Sequence, residues 1–313
     1  MNRKREFFYP SADGETNIHA IEWIPSEDIK AVLQISHGMV EYIDRYDEFA
    51  SWLADRGWYV VGNDHLGHGK SVTSREEYGF FHVPDGNRCV IQDIHTLRER
   101  TGKRYPCVPY FMLGHSMGSF LLRQYLQTHG RGLAGVVIMG TGYKSRMLLE
   151  AGQILCRLIA FRKGWHYRSC LIDRLGLGSY NRSFEPCESN RAWVTSDEGI
   201  RSKYEEDPLC SFSFTLNGYE QMFEGMKQIT GKRGAARVPR TLPVLFVSGK
   251  QDPVGNFGKD VEKVYHLYQK AGIKDVTLRF YENDRHEVLN EQDRQQVDED
   301  IWNWMEQRRE GGC

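Results

Sequence analysis

Pro109-Tyr-Phe-Met-Leu113, Gly114-His-Ser-Met-Gly118 and, one residue on, Phe120-Leu-Leu-Arg-Gln-Tyr-Leu126 decide how this chain is read. The first run is apolar throughout, as a strand covered on both faces would be. The third reads as a helix. Between them stands G-x-S-x-G, the pattern of a sharp strand–turn–helix junction that lifts a serine hydroxyl clear of a sheet. Glycine is expected at 114 and 118 because side chains would crowd so tight a turn. The helix that begins there offers its positive end to developing negative charge. Ser116 is therefore the candidate nucleophile.

A serine hydroxyl attacks only when a base takes its proton, and the base needs an orienting carboxylate. On sheets with this elbow the order is serine, acid, histidine, with each residue just past a strand. Pro243–Ser248 leads into Gly249-Lys-Gln-Asp252-Pro-Val-Gly255, and Val276–Tyr281 leads into Glu282-Asn-Asp-Arg-His286-Glu287. Asp252 and His286 are thus the expected acid and base. Alone, one reads as a turn residue and the other as a loop histidine; their order and placement make the pair specific. Two backbone amides must also receive the oxyanion. Met117, after the nucleophile, supplies one, and Met39, in the loop after the strand Ala31–Ser36, supplies the other.

Further strands are expected at Asn17–Ile24, Trp58–Gly62 and Gly135–Met139, with Glu6–Pro10 as an edge strand. Tyr42, Tyr46, Phe49 and Leu53 recur at helical spacing, as do Val297, Ile301 and Trp304, and Gly57 suits the end of the first helix. Such alternation predicts an α/β fold, a mostly parallel sheet with helices on both faces. From 144 to 240 no strand-like run occurs, so this stretch reads as an insertion into a body made of 1–143 and 241–313. Gly231-Lys-Arg-Gly-Ala-Ala-Arg237, near its end, reads as an exposed linker.

Composition excludes several classes. Lys and Arg number 41 against 42 Asp and Glu, a net charge of −1 that lacks the basic footprint of a nucleic-acid binder. The seven cysteines, at 89, 107, 156, 170, 187, 210 and 313, are scattered and fit free thiols in a reducing compartment. Neither a signal peptide nor an apolar run of spanning length is seen, so a cytoplasmic location is expected. Gly69-Lys70-Ser71 lacks the first glycine of a phosphate loop. His65 and His68 have no third ligand in view, so no metal is expected.

Together His37-Gly-Met-Val-Glu41-Tyr-Ile-Asp-Arg45-Tyr46, Asn63-Asp-His-Leu-Gly-His-Gly-Lys-Ser71, Gly114–Gly118, Gly249–Gly255 and Arg285-His-Glu287 make the sequence resemble α/β-hydrolases of the monoacylglycerol lipase and lysophospholipase type. The motifs run in family order over nearly the whole chain outside the insertion. The resemblance implies an α/β-hydrolase fold, a serine hydrolase without cofactor acting on a small lipid ester, and a helical cap formed by 144–240. Its triad falls on Ser116, Asp252 and His286, and its oxyanion donors on Met39 and Met117. It also places Glu41 and Arg45 beside the glycerol end of the pocket; an i, i+4 ion pair opening the first helix is the other reading. Val40 and Tyr42 stand where the family usually has Gly and His, which bears on whether glycerol is the alcohol.

In the insertion, Glu150, Gln153 and Arg157 form one polar stripe on an otherwise apolar helix, followed by the basic and aromatic Arg162, Lys163, Trp165, Tyr167 and Arg168. A lid that lines an acyl tunnel and touches a membrane surface transiently would look like this, and so would a helix buried against the cap or a second subunit. Trp193, Phe212 and Phe214 read as cap core, and Cys210 is expected near the pocket. Two rivals share the fold: a prolyl-aminopeptidase-type peptidase, with Glu205-Glu-Asp207 to hold an amine, and a non-catalytic ligand-binding protein.

Overall fold

The computed structural model describes residues 3–309 apart from 177, 179, 186–188 and 190. Eight strands form one sheet: β1 (Arg3–Pro10), β2 (Asn17–Ile24), β3 (Ala31–Ser36), β4 (Trp58–Asn63), β5 (Tyr110–His115), β6 (Gly135–Met139), β7 (Val244–Gly249) and β8 (Val276–Tyr281). Their spatial order is β1-β2-β4-β3-β5-β6-β7-β8, with β1 and β2 antiparallel to their neighbours and the rest parallel. β1 begins three residues earlier than Glu6, extending the edge with Arg3, Lys4 and Arg5; charge on an edge strand discourages further pairing.

The central strands are buried at every position because alternate side chains enter different cores. Val32, Met112, Val136, Ile138, Val244 and Phe246 belong to one cluster. Leu33, Phe111, Leu113, Val137, Leu245 and Val247 belong to the other, across the sheet. Helix α1 (Asp47–Ala54) covers the second face, while α2 (Gly86–Arg104) and α3 (Met117–His129) cover the first. Tyr42 lies just before α1 rather than within it; a 3-10 turn, Ile43–Tyr46, leads into the helix.

Between β6 and β7 the described residues form α4 (Arg146–Lys163), α5 (Cys170–Gly176), α6 (Glu198–Glu206), α7 (Leu216–Gln228) and α8 (Gly231–Ala235), with short 3-10 turns and no strand. The expected linker is α8: Gly234, Ala235 and Val238 are buried while Lys232 and Arg233 face solvent. Its glycines allow close packing, since a Cβ on Gly234 would stand 2.7 Å from the Ile229 backbone. The chain then returns through α9 (Lys259–Lys270), on the first face, and α10 (Arg294–Arg309), on the second. No helix among the described residues is long and apolar enough to cross a membrane. Cys89, Cys107, Cys156, Cys170 and Cys210 are free thiols; Cys187 and Cys313 lie outside the described residues.

Successive strands run outward in opposite directions from β3, which pairs with β4 on one side and β5 on the other. The loops leaving β3 and β5 therefore diverge, and the carboxyl ends of such a pair open the crevice where α/β sheets bind ligands. Those two loops carry Met39 and Ser116.

Candidate active site

Ser116 adopts φ 52° and ψ −119° between β5 and α3, a conformation costly for any residue with a Cβ. The turn is held by the Ser116 amide donating to the Met139 carbonyl at 3.0 Å. Its two glycines have steric causes. A Cβ on Gly114 would come within 2.5 Å of the Gly118 carbonyl, and one on Gly118 would collide with the Ser36 carbonyl. The elbow is thus pressed against the end of β3. In that loop, a Cβ on Gly38 would stand 3.0 Å from the Ser116 Cβ.

Asp252 follows β7 and is fully buried, accepting from the Val254 amide at 2.8 Å through one oxygen. Its other oxygen accepts from His286 Nδ1 at 2.9 Å. His286 follows β8, its ring 4.7 Å from that of His115 and 5.2 Å from that of Trp193. Ser116, His286, Met39 and Met117 all line one cavity of about 380 Å³. The Met39 and Met117 amides donate to no described group; Met117 opens α3, where amides have no partner within the helix. The structure therefore brings all five expected residues to one place.

Glu41 and Arg45 form the i, i+4 ion pair, at 2.9 Å, but within a larger cluster. Glu41 also accepts from the Gly38 amide, Tyr46 Oη and His115 Nδ1. Arg45 makes a two-pronged bridge to Glu287 at 2.7 and 2.6 Å. His115 faces only acceptors, Glu41 at 3.1 Å and the His286 carbonyl at 3.3 Å, so both its nitrogens must carry protons. Burial disfavours its charge, yet the Glu41 hydrogen bond and the nearby carboxylates raise its pKa. Burial likewise opposes ionisation of Glu41, and the His115 bond with the His115 and Arg45 charges holds its carboxyl well below the usual range. One neutral cluster thus ties together the loop after β3, the residue before the nucleophile and the histidine loop. Glu41 borders the cavity with its carboxylate fully engaged, and Arg45 stands behind it.

The inserted segment is bonded to the same loops. Tyr204 of α6 donates from its hydroxyl to the Val40 carbonyl at 3.1 Å, and its ring lies 4.6 Å from the Arg45 guanidinium. Tyr42 donates to Asp207 at 2.7 Å. Val40 has φ 57°, a left-handed conformation that a β-branched residue rarely takes. Farther on, the His286 amide donates to the Trp193 carbonyl at 3.4 Å and the Glu287 amide to the Val194 carbonyl at 2.8 Å.

Several expectations change here. Trp193 is not buried cap core alone: it lines the cavity and packs on the His286 ring. Phe212 and Phe214 pack around His68 and leave the cavity to others. Cys210 is buried beside Arg45 without lining the cavity, and burial pushes its thiol well up. His37, His65 and His68 stack together in the interior, where burial lowers the pKa of each, that of His68 to about 3. Of the polar stripe of α4 only Gln153 is buried: Gln153 and Arg157 bond Glu220 of α7, the Arg157 side chain staying exposed, and Glu150 pairs with Arg146 at the surface. Met147, Leu148, Ile154, Leu158 and Phe161 are exposed, Leu148 also bordering the cavity that Leu149 and Leu155 line. Arg168 is held by carbonyls of Glu76, Tyr78 and Ser213. Sequence reasoning missed Arg191, Tyr204, Tyr219 and Glu287; only Glu287, next to His286, carried any local signal.

Comparison with known proteins gives the family. A family model described as serine aminopeptidase, S33, matches residues 27–293. A monoacylglycerol lipase of Mycolicibacterium smegmatis is 27% identical over 287 residues, covering 90% of each chain. A monoglyceride lipase of Rattus norvegicus is 27% identical over 90% of this chain and 83% of its own. The crystal structure of a thermostable carboxyl esterase from Bacillus coagulans, in complex with glycerol, superposes with a TM-score of 0.91 at 28% identity, covering 98% of this chain and 99% of that one.

Proposed function

The chain belongs to the serine aminopeptidase S33 family of α/β-hydrolases, and from that footing we propose that it is a carboxylic-ester hydrolase of lipid-like monoesters, monoacylglycerols or lysophospholipids. The observation that carries this reading is the bond from His286 to a fully buried Asp252, in a cavity that also holds Ser116 at a strained elbow. Ser116 attacks the ester carbonyl while His286, oriented by Asp252, takes its proton. The Met39 and Met117 amides receive the oxyanion; one such donor is typically worth ~3–4 kcal/mol. The intermediate collapses to an acyl-serine as His286 protonates the leaving alcohol. Water, deprotonated by His286, then releases the acid and restores the serine.

Residues 144–240 act in this reading as a cap over a body of 1–143 and 241–313. The cavity extends under α4 and α7, where Leu149, Leu155, Met222, Phe223 and Met226 suit an acyl chain. Met147, Leu158 and Phe161, exposed on α4, suit transient contact with a lipid surface. The location is the cytoplasm. The aminopeptidase reading needs a free acid for the substrate amine. Glu205 instead bonds Ser189 at 2.6 Å, Asp207 bonds Tyr42, and neither borders the cavity.

The test is fluorophosphonate labelling of wild type and Ser116→Ala, with p-nitrophenyl esters from acetyl to palmitoyl assayed in parallel. Labelling should vanish in the variant. Each methylene buried is worth ~0.8 kcal/mol, so kcat/KM should rise about fourfold per methylene before levelling off. A flat profile would remove the acyl tunnel, and an unlabelled, inactive wild type would leave a ligand-binding protein on this fold.

A further inference from the structure

The cavity's charges do not balance. Glu41 and Glu287, which border it, are matched by Arg45 and by the His115 imidazolium. That cluster is neutral. Two further cations line the cavity, Lys144 and Arg191, and no described carboxylate lies within 4 Å of either. Three acids of the same segment are otherwise engaged: Glu205 with Ser189, Asp207 with Tyr42 and Asp173 with the Tyr219 hydroxyl at 2.7 Å. Asp252, behind a neutral His286, offsets one of the two cations, so among the described residues the site carries a surplus of one positive charge beside a mostly apolar wall.

Arg191 is the better placed of the two. Its carbonyl accepts from the Val194 amide at 2.9 Å, closing the turn that holds Trp193. The same turn is bonded to the His286 and Glu287 amides, so Arg191 is built onto the histidine loop. Its guanidinium lies 6.0 Å from the Tyr204 ring centre, whose hydroxyl holds the Val40 carbonyl. Burial raises the Tyr204 hydroxyl pKa, and the Arg191 charge pulls the other way. Burial and the Asp173 charge and bond raise that of Tyr219, where the Arg191 charge is felt as well. Lys144 stands on the far side of Trp193, 6.0 Å from the Tyr180 ring that packs on the indole.

A half-buried guanidinium with no described carboxylate beside it is costly to hold there, because it gives up water. An anionic ligand removes that cost. Arginine suits phosphate and carboxylate because its planar fork donates two parallel hydrogen bonds to them. The end of the substrate that faces Arg191 follows from the reaction. His286 must reach the leaving oxygen, so the alcohol lies next to whatever is bonded to the His286 loop. The acyl chain runs along α4 and the later turns of α7, past Met222 and Met226, away from the Tyr219 end of that helix.

We propose that Arg191 is a specificity-determining residue that binds an anionic group, phosphate or carboxylate, on the alcohol half of the ester, and that the substrate class is acyl esters of anionic alcohols, with acylglycerol phosphates as the type. This deepens the ester-hydrolase reading and rests on it. Tyr42 and Val40, where the resemblance would place His and Gly, fit a changed alcohol pocket.

The experiment compares three esters of one chain length: 1-lauroylglycerol, 1-lauroylglycerol 3-phosphate, and the glyceryl monoester of dodecanedioic acid, which carries its charge at the far end of the acyl chain. Wild type should favour the phosphate. A hydrogen bond to a charged group is worth ~1.5–3 kcal/mol, so Arg191→Gln should lower the phosphate-to-neutral ratio of kcat/KM by about tenfold or more. Arg191→Lys should restore part of it. The ratio cancels any loss of folded enzyme. An unchanged ratio overturns the proposal, as does an equal loss on the dodecanedioate ester, which would put the charge site on the acyl side. Binding of the ethers 1-O-dodecylglycerol and its 3-phosphate to wild type and Arg191→Gln repeats the comparison without turnover. If no ester is hydrolysed, the hydrolase reading fails while this binding ratio still decides whether Arg191 holds an anion.

Discussion

Phe111 and Phe246 in the sheet are fully buried, whereas Phe161 on α4 is 91% exposed. The contrast separates the two parts of the molecule. In the body, apolar runs are hidden by helices on both faces, and Glu41, Arg45, His115 and Glu287 among them form a closed cluster. On α4 the arrangement is reversed. Gln153 is buried against Glu220 and Glu224 of α7, and a row of apolar side chains is turned outward. A surface helix ordinarily buries its apolar stripe. Here polar bonds to α7 hold the helix, which leaves one apolar side to the cavity and another to whatever the protein meets. An apolar residue thus means stability in one region and contact in the other.

Three changes break or sharpen that comparison. The largest effect is expected in the body, from Arg45→Met, which strands Glu41 and Glu287 in the interior. Removing one partner from a buried ion cluster typically costs ~3–5 kcal/mol, and urea unfolding should show a loss of that order. A loss below about 1 kcal/mol would be the behaviour of a surface pair and would put the cluster in solvent.

A smaller effect is expected at the seam, from Tyr204→Phe. The hydroxyl bonded to the strained Val40 is lost, at about 0.5–1.5 kcal/mol of stability. Because Val40 adjoins the Met39 amide, kcat on a short ester should fall more than KM rises; a change in KM alone would detach the insertion from the oxyanion loop. The least effect on folding is expected from Leu158→Ser with Phe161→Ser. Neither side chain packs on the core, so stability should stay within about 0.5 kcal/mol. Adsorption to phospholipid vesicles should nonetheless drop, and unchanged adsorption would take the outer face of α4 out of lipid contact.

The elbow and the candidate acid and base were legible because each is announced locally. Gly114 and Gly118 frame Ser116 for a steric reason visible in the motif, and Asp252 and His286 follow apolar runs that could only be strands. Strand ends shifted by one or two residues, as at Tyr110–His115, because hydrogen bonding outlasts the apolar pattern. The misreadings fall in the insertion. The segment Gly231–Ala235 has linker composition, yet Gly234 lets it pack as a helix. Trp193 carried no sign that it would meet His286, since the bond joining their loops spans 93 residues of chain.

By itself, then, the sequence determined the α/β order, the candidate nucleophile with its candidate partners, and the strand-free stretch from 144 to 240. Those features rest on local periodicity and on turn chemistry, which act within a few residues. Only the tertiary structure decided which way α4 faces, that Glu41 and Arg45 close on Glu287 and His115, and that Arg191 meets the cavity with no described carboxylate beside it. Charge pairing and burial depend on distance in space. Residues 45 and 287 become partners only once β3 and β8 have taken their places in the same sheet.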